Sequence, residues 1–393
     1  MVAALIGAVV LCAPASAAGP PKDLPARSWI VVDASDGHVI AAQDPDQRSA
    51  IASTTKMMTA YLALRDLDPD KVVTAPPYAA APGESLMGLE AGERVGVRDL
   101  LYGLLLPSGN DAASALATID AGSVPKFVVK MNAAAKQLGL TETSYSTPVG
   151  LDDPDNYSTA HDLVSLALGL LQDPLFSRIV DTERITLDDG EVTRTLVNRN
   201  PLLGDAPYFD GVKTGFTADA GNVLVGSATK DGAHVVSAVL GSPTEGDRDS
   251  ASRALLDYAL SEFKKRTPVR EGETVDSSSI AFEDGRLDLV AARNVVLTAR
   301  QDQKLRVVPD APDEVRGPID RGEKVGTAIV RLDGKPVAHL RLLAAEAVGA
   351  PTIVDRADSG VPGSRAILYV LVVALAGAVV IGILRRMRRT SKG

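Results

Sequence analysis

The sequence holds one cysteine, one tryptophan and only four histidines in 393 residues, and each scarcity excludes something. Cys12 lies in an apolar N-terminal stretch, so a chain cut after Ala17 or Ala18 has no thiol and no disulfide and must hold together by core packing. His38, His161, His234 and His339 are scattered, and no serine has glycine two residues before and two after it. Neither a histidine-based triad nor a nucleophile elbow is indicated. No side-chain spacing resembles a zinc or calcium site, and no Walker or dinucleotide fingerprint occurs, so neither metal nor cofactor is expected. Positive charge is also short: a net charge of −9 and a pI near 5.1 leave no basic footprint for a nucleic acid.

What is present is a globular composition, 45% hydrophobic and 23% charged, in a length that suits two domains with terminal segments. Apolar runs stand at both ends. Val2 to Ala13, followed by Ala15-Ser16-Ala17, reads as a secretory leader over residues 1–18, although no basic residue precedes the run. Ala366 to Leu384 carries no charge and, at about 1.5 Å per residue, spans roughly 28 Å, close to the thickness of a hydrocarbon core. Arg385, Arg386, Arg388, Arg389 and Lys392 follow at once, which predicts a cytoplasmic tail over residues 385–393. Leader and stop-transfer helix (366–384) together predict a single-pass protein of the cell membrane, with everything between them extracytoplasmic.

Ile30 to Ala34 and His38 to Gln43, joined by Asp36-Gly37, read as a β-hairpin. A helix starts at Ser53, which is expected to cap it, and runs to about Leu67 before Asp68-Pro69. Val97 to Leu106 and Asp111 to Ile119 are helical, with Pro107 to Asn110 as the loop between them. Thr159-x-x-Asp162 fits a capping box for a helix through Leu171 that Asp173-Pro174 ends. Strands follow at Phe209 to Thr214, Asn222 to Ala228 and Val235 to Leu240, then a helix from Asp249 to Phe263. A strand pair, several helices, more strands and a closing helix predict an α+β domain over residues 19–266. From Thr267-Pro268 the chain turns strand-like, with strands at Leu287 to Val290, Asn294 to Ala299, Leu305 to Val308, Thr327 to Leu332 and Val337 to Leu342. That is a smaller all-β domain, 267–348, and the Pro- and Gly-containing stretch 349–365 is a linker.

Three short signatures carry the chemistry: Ser53-Thr-Thr-Lys56, Ser108-Gly-Asn110 and Lys213-Thr-Gly215. Each alone is weak, since Ser-x-x-Lys recurs at Ser123/Lys126, Ser227/Lys230 and Ser261/Lys264. In sequence they supply the parts for serine acyl transfer without histidine. Residues three apart on a helix share a face, so Lys56 can reach Ser53 Oγ. Lys56 serves as a base only if its pKa falls, which burial beside a second cation achieves; Lys213, arriving on a strand, is the expected second cation. Ser108 can pass a proton to a leaving amine, and Asn110 can hold an amide carbonyl. Lys213 and Thr214 suit a terminal carboxylate. Gly215 lets a substrate backbone lie against the strand edge, and the backbone N–H groups of Ser53 and Phe216 can form an oxyanion hole. The plain alternatives are a helix cap, an ordinary turn and a strand end.

The chain resembles the low-molecular-mass penicillin-binding proteins of the D-alanyl-D-alanine carboxypeptidase type from about Pro25 to Val348. The likeness rests on Ile51-Ala-Ser-Thr-Thr-Lys-Met-Met-Thr59, on Gly150-Leu151 with Tyr157-Ser-Thr-Ala-His-Asp-Leu163, and on Asp210-Gly-Val-Lys-Thr-Gly-Phe-Thr217 with Ala220-Gly221. Pro318 to Thr327 and Leu332-Asp-Gly-Lys335 are similar to that family's C-terminal β domain. The resemblance implies a β-lactamase/transpeptidase-like antiparallel sheet flanked by helices. It also implies peptidoglycan stem pentapeptides as substrate, an acyl-serine intermediate and β-lactams as covalent inhibitors. Carried over residue by residue, Ser53 is the nucleophile, Lys56 its base and Ser108 the proton relay, while Asn110, Lys213 and Thr214 bind substrate. Arg248, ahead of a helix, matches an arginine near the substrate carboxylate. Two departures are a full apolar span where relatives often carry a surface helix, and Asn222 where some have cysteine.

A class A β-lactamase shares the three signatures but needs a deacylating glutamate in Glu-x-x-Leu-Asn, and neither Glu142, Glu183 nor Glu191 begins that pattern. A DD-endopeptidase or weak transpeptidase uses the same machinery. A non-catalytic wall scaffold would have no need to retain every catalytic side-chain type.

Overall fold

The computed structural model describes residues 19–188, 190–352 and 364–390. The leader expected at 1–18, most of the linker and the last residues of the tail lie outside them. The chain divides into two compact units, with the boundary along the chain between Phe263 and Lys264.

The first unit is built on a five-stranded sheet of β1 (Ser28–Asp33), β2 (Val39–Gln43), β3 (Phe209–Thr217), β4 (Gly221–Lys230) and β5 (Ala233–Ser242), in the order β2-β1-β5-β4-β3 with every pair antiparallel. β1 shows why it is central: all six residues are buried, and they alternate between two cores. Ile30 and Val32 join a helix-side core, while Trp29 and Val31 face Leu255, Leu256 and Ala259 on the opposite side.

The helix-side core packs α1 (Lys56–Asp66), α2 (Val97–Leu105), α3 (Asn110–Ala121), α4 (Val124–Gln137), α5 (Ala160–Leu170) and α6 (Pro174–Val180). α7 (Glu245–Ser261) covers the other face of the sheet. α5 stops at Leu170, just ahead of Asp173-Pro174, as expected, and the same pair also starts α6: Asp173 accepts from the N–H groups of Leu175 and Phe176, and proline suits a first turn. The capping serine of the Ser123/Lys126 pair accepts from Lys126 N, so that copy of Ser-x-x-Lys is the start of α4 and no site.

The second unit has a six-stranded sheet in the order 305–310, 324–332, 335–344, 286–291, 274–280, 314–315, and a separate pair, 263–269 with 295–300. Alternate residues Leu287, Leu289 and Ala291, with Ala328, Val330, Leu340, Leu342 and Ala344, make its own core. Strands 263–269, 274–280 and 314–315 go beyond what the sequence pattern indicates; 274–280 reads Thr-Val-Asp-Ser-Ser-Ser-Ile, with little apolar alternation. The C-terminal helix α8 (Ser364–Thr390) contains the apolar run, and its described side chains from Tyr369 to Ile383 are exposed. Among the described residues no single helix is long and apolar enough to cross a membrane.

Candidate active site

Ser53 lies on a single turn of 3-10 helix, Ala52–Thr55, directly ahead of α1. It caps nothing: α1 takes Thr55 as its N-cap and no side-chain cap bond forms. Its Oγ instead accepts a hydrogen bond from Lys56 Nζ at 3.0 Å. Lys56 has no exposed surface, and its second partner is the backbone carbonyl of Val149, at 2.6 Å. The 147–156 loop is tied to this helix start by Thr59 Oγ1 donating to Pro148 O at 2.8 Å and by Asn156 Nδ2 donating to Thr55 Oγ1 at 3.2 Å. Gly150, at φ +85°, allows the approach; a Cβ there would stand 2.0 Å from Ala52 O.

Burial lowers the Lys56 ammonium to a pKa of about 7; Arg199 lowers it too, and Glu84 and Asp111 pull the other way. Lys213 is pushed well below its ordinary value by burial first and then by the charges of Lys56, Arg199 and Arg248. The second cation that the sequence leads one to expect beside Lys56 is there: Lys56 and Lys213, both buried, repel one another, and Arg199 adds a cation that acts on both.

β3 delivers the third signature. Its register pairs Lys213 with Val225 and Gly215 with Val223, both part of the helix-side core, so these two residues face the nucleophile turn. A Cβ on Gly215 would lie 2.8 Å from Ser53 N, which gives this glycine a reason beyond substrate access: the strand must touch the turn. Lys213 Nζ donates to Thr214 O at 2.9 Å.

Ser108 and Asn110 come from the α2–α3 connection, with Asn110 already the first residue of α3. Ser108 is buried at φ +64°, and among the described residues its Oγ has no hydrogen-bond partner. Ala52, beside the nucleophile, also holds a positive φ, +47°. Such conformations in non-glycine residues cost of order 1–3 kcal/mol each and persist only where neighbours enforce them. Here Gly109 N donates to Gly103 O at 2.8 Å and Asn110 N to Ser85 O at 2.7 Å.

A cavity of about 350 Å³ opens over these groups, lined by Ser53, Ser108, Thr214, Gly215, Phe216 and Arg248, with Arg199 and Glu245. Lys56, Asn110 and Lys213 are buried behind it, each beside a lining residue. All nine expected site residues are thus gathered. Arg248 lies inside the first turn of α7 rather than ahead of it, is buried, and pairs with Asp249 at 2.8 Å. Phe216 is exposed at the cavity rim.

Sequence reasoning missed Glu84, Asp111 and Arg199. Asp111 accepts from the N–H groups of Met87, Gly88 and Leu89 at 2.9, 2.8 and 2.9 Å, strapping the 84–90 segment to the start of α3. Arg199 follows an unforeseen hairpin, 184–187 with 194–197, which Arg194 holds by paired bonds to the carboxylate of Glu93. The only local signals were an acid after Asn110 and an arginine between two asparagines.

Comparison with known proteins gives a consistent result. The profile described as D-alanyl-D-alanine carboxypeptidase (peptidase S11) matches residues 14–244, and that described as penicillin-binding protein 5, C-terminal domain, matches residues 263–350. The chain is 31% identical over 333 residues to the D-alanyl-D-alanine carboxypeptidase DacF of Bacillus subtilis, covering 82% of this chain and 85% of that one. It is 35% identical over 342 residues to DacC of Escherichia coli, covering 82% and 84%. Among solved structures, penicillin-binding protein 5 of Haemophilus influenzae superposes with a TM-score of 0.58 at 30% identity, covering 84% of this chain and 99% of that one. The Streptomyces K15 DD-transpeptidase gives 0.59 at 33% identity, covering 62% and 99%.

Proposed function

The chain belongs to the D-alanyl-D-alanine carboxypeptidase family, and from that membership and the geometry of the cleft we infer that Ser53 carries its reaction. The protein is a serine-type D-Ala-D-Ala carboxypeptidase that acts on peptidoglycan and binds β-lactams. The observation that carries the assignment of Ser53 is its Oγ, 3.0 Å from a lysine amine that burial holds near a pKa of 7, at the floor of a cavity shared with Ser108 and Thr214.

In this reading the neutral Lys56 amine takes the Ser53 proton as Oγ bonds to the carbonyl carbon of the terminal peptide bond. Negative charge gathers on the carbonyl oxygen against the N–H groups of Ser53 and Phe216. The intermediate collapses with loss of the C–N bond, the proton passes through Ser108 to the departing D-alanine amine, and water then releases the acyl group. Asn110 holds the substrate amide. Lys213, Thr214 and Arg248 receive the terminal carboxylate, whose charge restores the proton affinity that Lys213 loses to burial and to neighbouring cations.

Anchoring belongs to the same proposal. A 27-residue helix whose described apolar side chains are all exposed, and whose apolar run is followed at once by four arginines in its last turns, supports a single membrane span at 366–384 behind the linker 349–365. With a leader at 1–18, the catalytic domain (19–266) and β domain (267–348) then sit on the cell-wall side and residues 385–393 in the cytoplasm.

D-Alanine release from a stem pentapeptide, measured beside release across a cross-linked dimer, tests the reading. Wild type should free D-alanine from the pentapeptide and Ser53→Ala should free none; release only from the cross-linked dimer would make it an endopeptidase.

A further inference from the structure

Glu84 belongs to none of the three signatures, yet it grips one of them. Its Oε2 accepts from Asn110 Nδ2 at 2.8 Å and from the Tyr78 hydroxyl, and its Oε1 accepts from Ala81 N at 3.0 Å. The residues on either side of it, Gly83 and Ser85, line the cavity, and Ser85 O takes the backbone N–H of Asn110. Resting on the reading of Asn110 as a substrate-amide ligand, we propose that Glu84 is a positioning residue for the reaction: its carboxylate fixes which end of the Asn110 amide faces the cleft.

The physical reason is that an ionised carboxylate can only accept. Of the two ends of a side-chain amide it takes the NH₂ group, and a charge-assisted bond does so about twice as strongly as a neutral one. With Nδ2 turned to Glu84, the second N–H and Oδ1 of Asn110 are held in one arrangement. A free amide can turn over and put its oxygen where a substrate carbonyl must bind, which replaces attraction by repulsion. Glu84 is suited to the task because it remains ionised: burial works to raise its pKa, but the hydrogen bonds from Tyr78, Asn110 and Ala81 and the charge of Lys56 bring it below the usual carboxylate range. Tyr78, in turn, has its phenol proton held by burial and by Glu84, so it stays a donor.

The same charge has a second readout. Glu84 favours the protonated form of Lys56, against the effect of burial. Removing that charge moves the acid limb of the acylation rate to lower pH, an effect that a merely structural loop contact would not produce.

Acylation by a fluorescent penicillin, followed from pH 5 to 9, supplies the test. Glu84→Ala should slow acylation at pH 8 about tenfold, the lower end of what loss of a hydrogen bond to a charged group gives. Its acid limb should move to lower pH. In an Asn110→Ala background the same substitution should cause almost no further loss, because the residue it acts through is gone. Glu84→Gln, which keeps the shape of the side chain but can bond either end of the amide, should show the shifted limb with a smaller loss, and it serves if the alanine variant folds poorly. An unchanged rate and limb in both variants, or an undiminished tenfold loss on top of Asn110→Ala, overturns the proposal. A wild-type protein that takes up no penicillin would instead overturn the reading of the site, leaving the two failures distinct.

Discussion

At the scale of single residues, function here is held against local preference. Ser108 keeps a left-handed backbone and a buried hydroxyl with no hydrogen-bond partner among the described residues. Ser108→Gly relieves the backbone and Ser108→Ala does not. The glycine variant should therefore be the more stable of the two by about 1 kcal/mol in urea titration, while both slow acylation by roughly 10²-fold or more. Lys56 presents the same conflict in charge. Its pKa is about 7 when folded against 10.5 as an ordinary side chain, so between these values the unfolded chain binds a proton that the folded one does not. Stability from this group thus rises with pH across that window and is lost as pH falls through about 7. The gap in melting temperature by which Lys56→Met exceeds wild type should narrow steadily from pH 7 to pH 10; a constant gap would mean that Lys56 titrates normally. Acylation should fall on the acid side of the same pKa, because only the free amine is a base.

At the scale of elements, the nucleophile turn is fixed by what touches it. Gly150→Ala drives a Cβ into the carbonyl of Ala52 and displaces the Val149 carbonyl that holds Lys56. It should destabilise the protein by about 2–4 kcal/mol and slow acylation in the fraction that remains folded; wild-type stability would show that the loop is not braced against the turn. The sequence made the hairpin β1–β2, helices α1 to α3 and the strands of the large sheet legible, because apolar periodicity reports burial directly. Eight of the nine expected site residues also stand out in the sequence, since each sits in one of the three signatures or beside one; Arg248 stands apart from them and comes only from the family resemblance. Glu84, Asp111 and Arg199 stayed hidden because they act through distance: the 84–90 segment and the 184–197 hairpin become relevant only when bonds between far-apart residues fold them over the α2–α3 connection. Ser53 looked like a cap for a related reason, since sequence shows that a helix begins and not that a 3-10 turn precedes it.

At the scale of the whole molecule, the two units have separate cores with no residue in common. Two unfolding transitions are expected in calorimetry, and a chain ending near Phe263 should still acylate with penicillin at the wild-type rate; a loss of labelling would show that the β unit is needed for the site. Removal of residues 353–393 should release the protein from membranes without changing that rate, which fractionation after expression will show. The proposed reaction depends on Ser53 being the one group that forms the acyl bond. Mass spectrometry of the penicillin adduct, read on the tryptic peptide Ser49 to Lys56, measures this directly. A single adduct on Ser53, lost in Ser53→Ala, is the predicted result, and an adduct on any other residue, or labelling that survives the substitution, would contradict it.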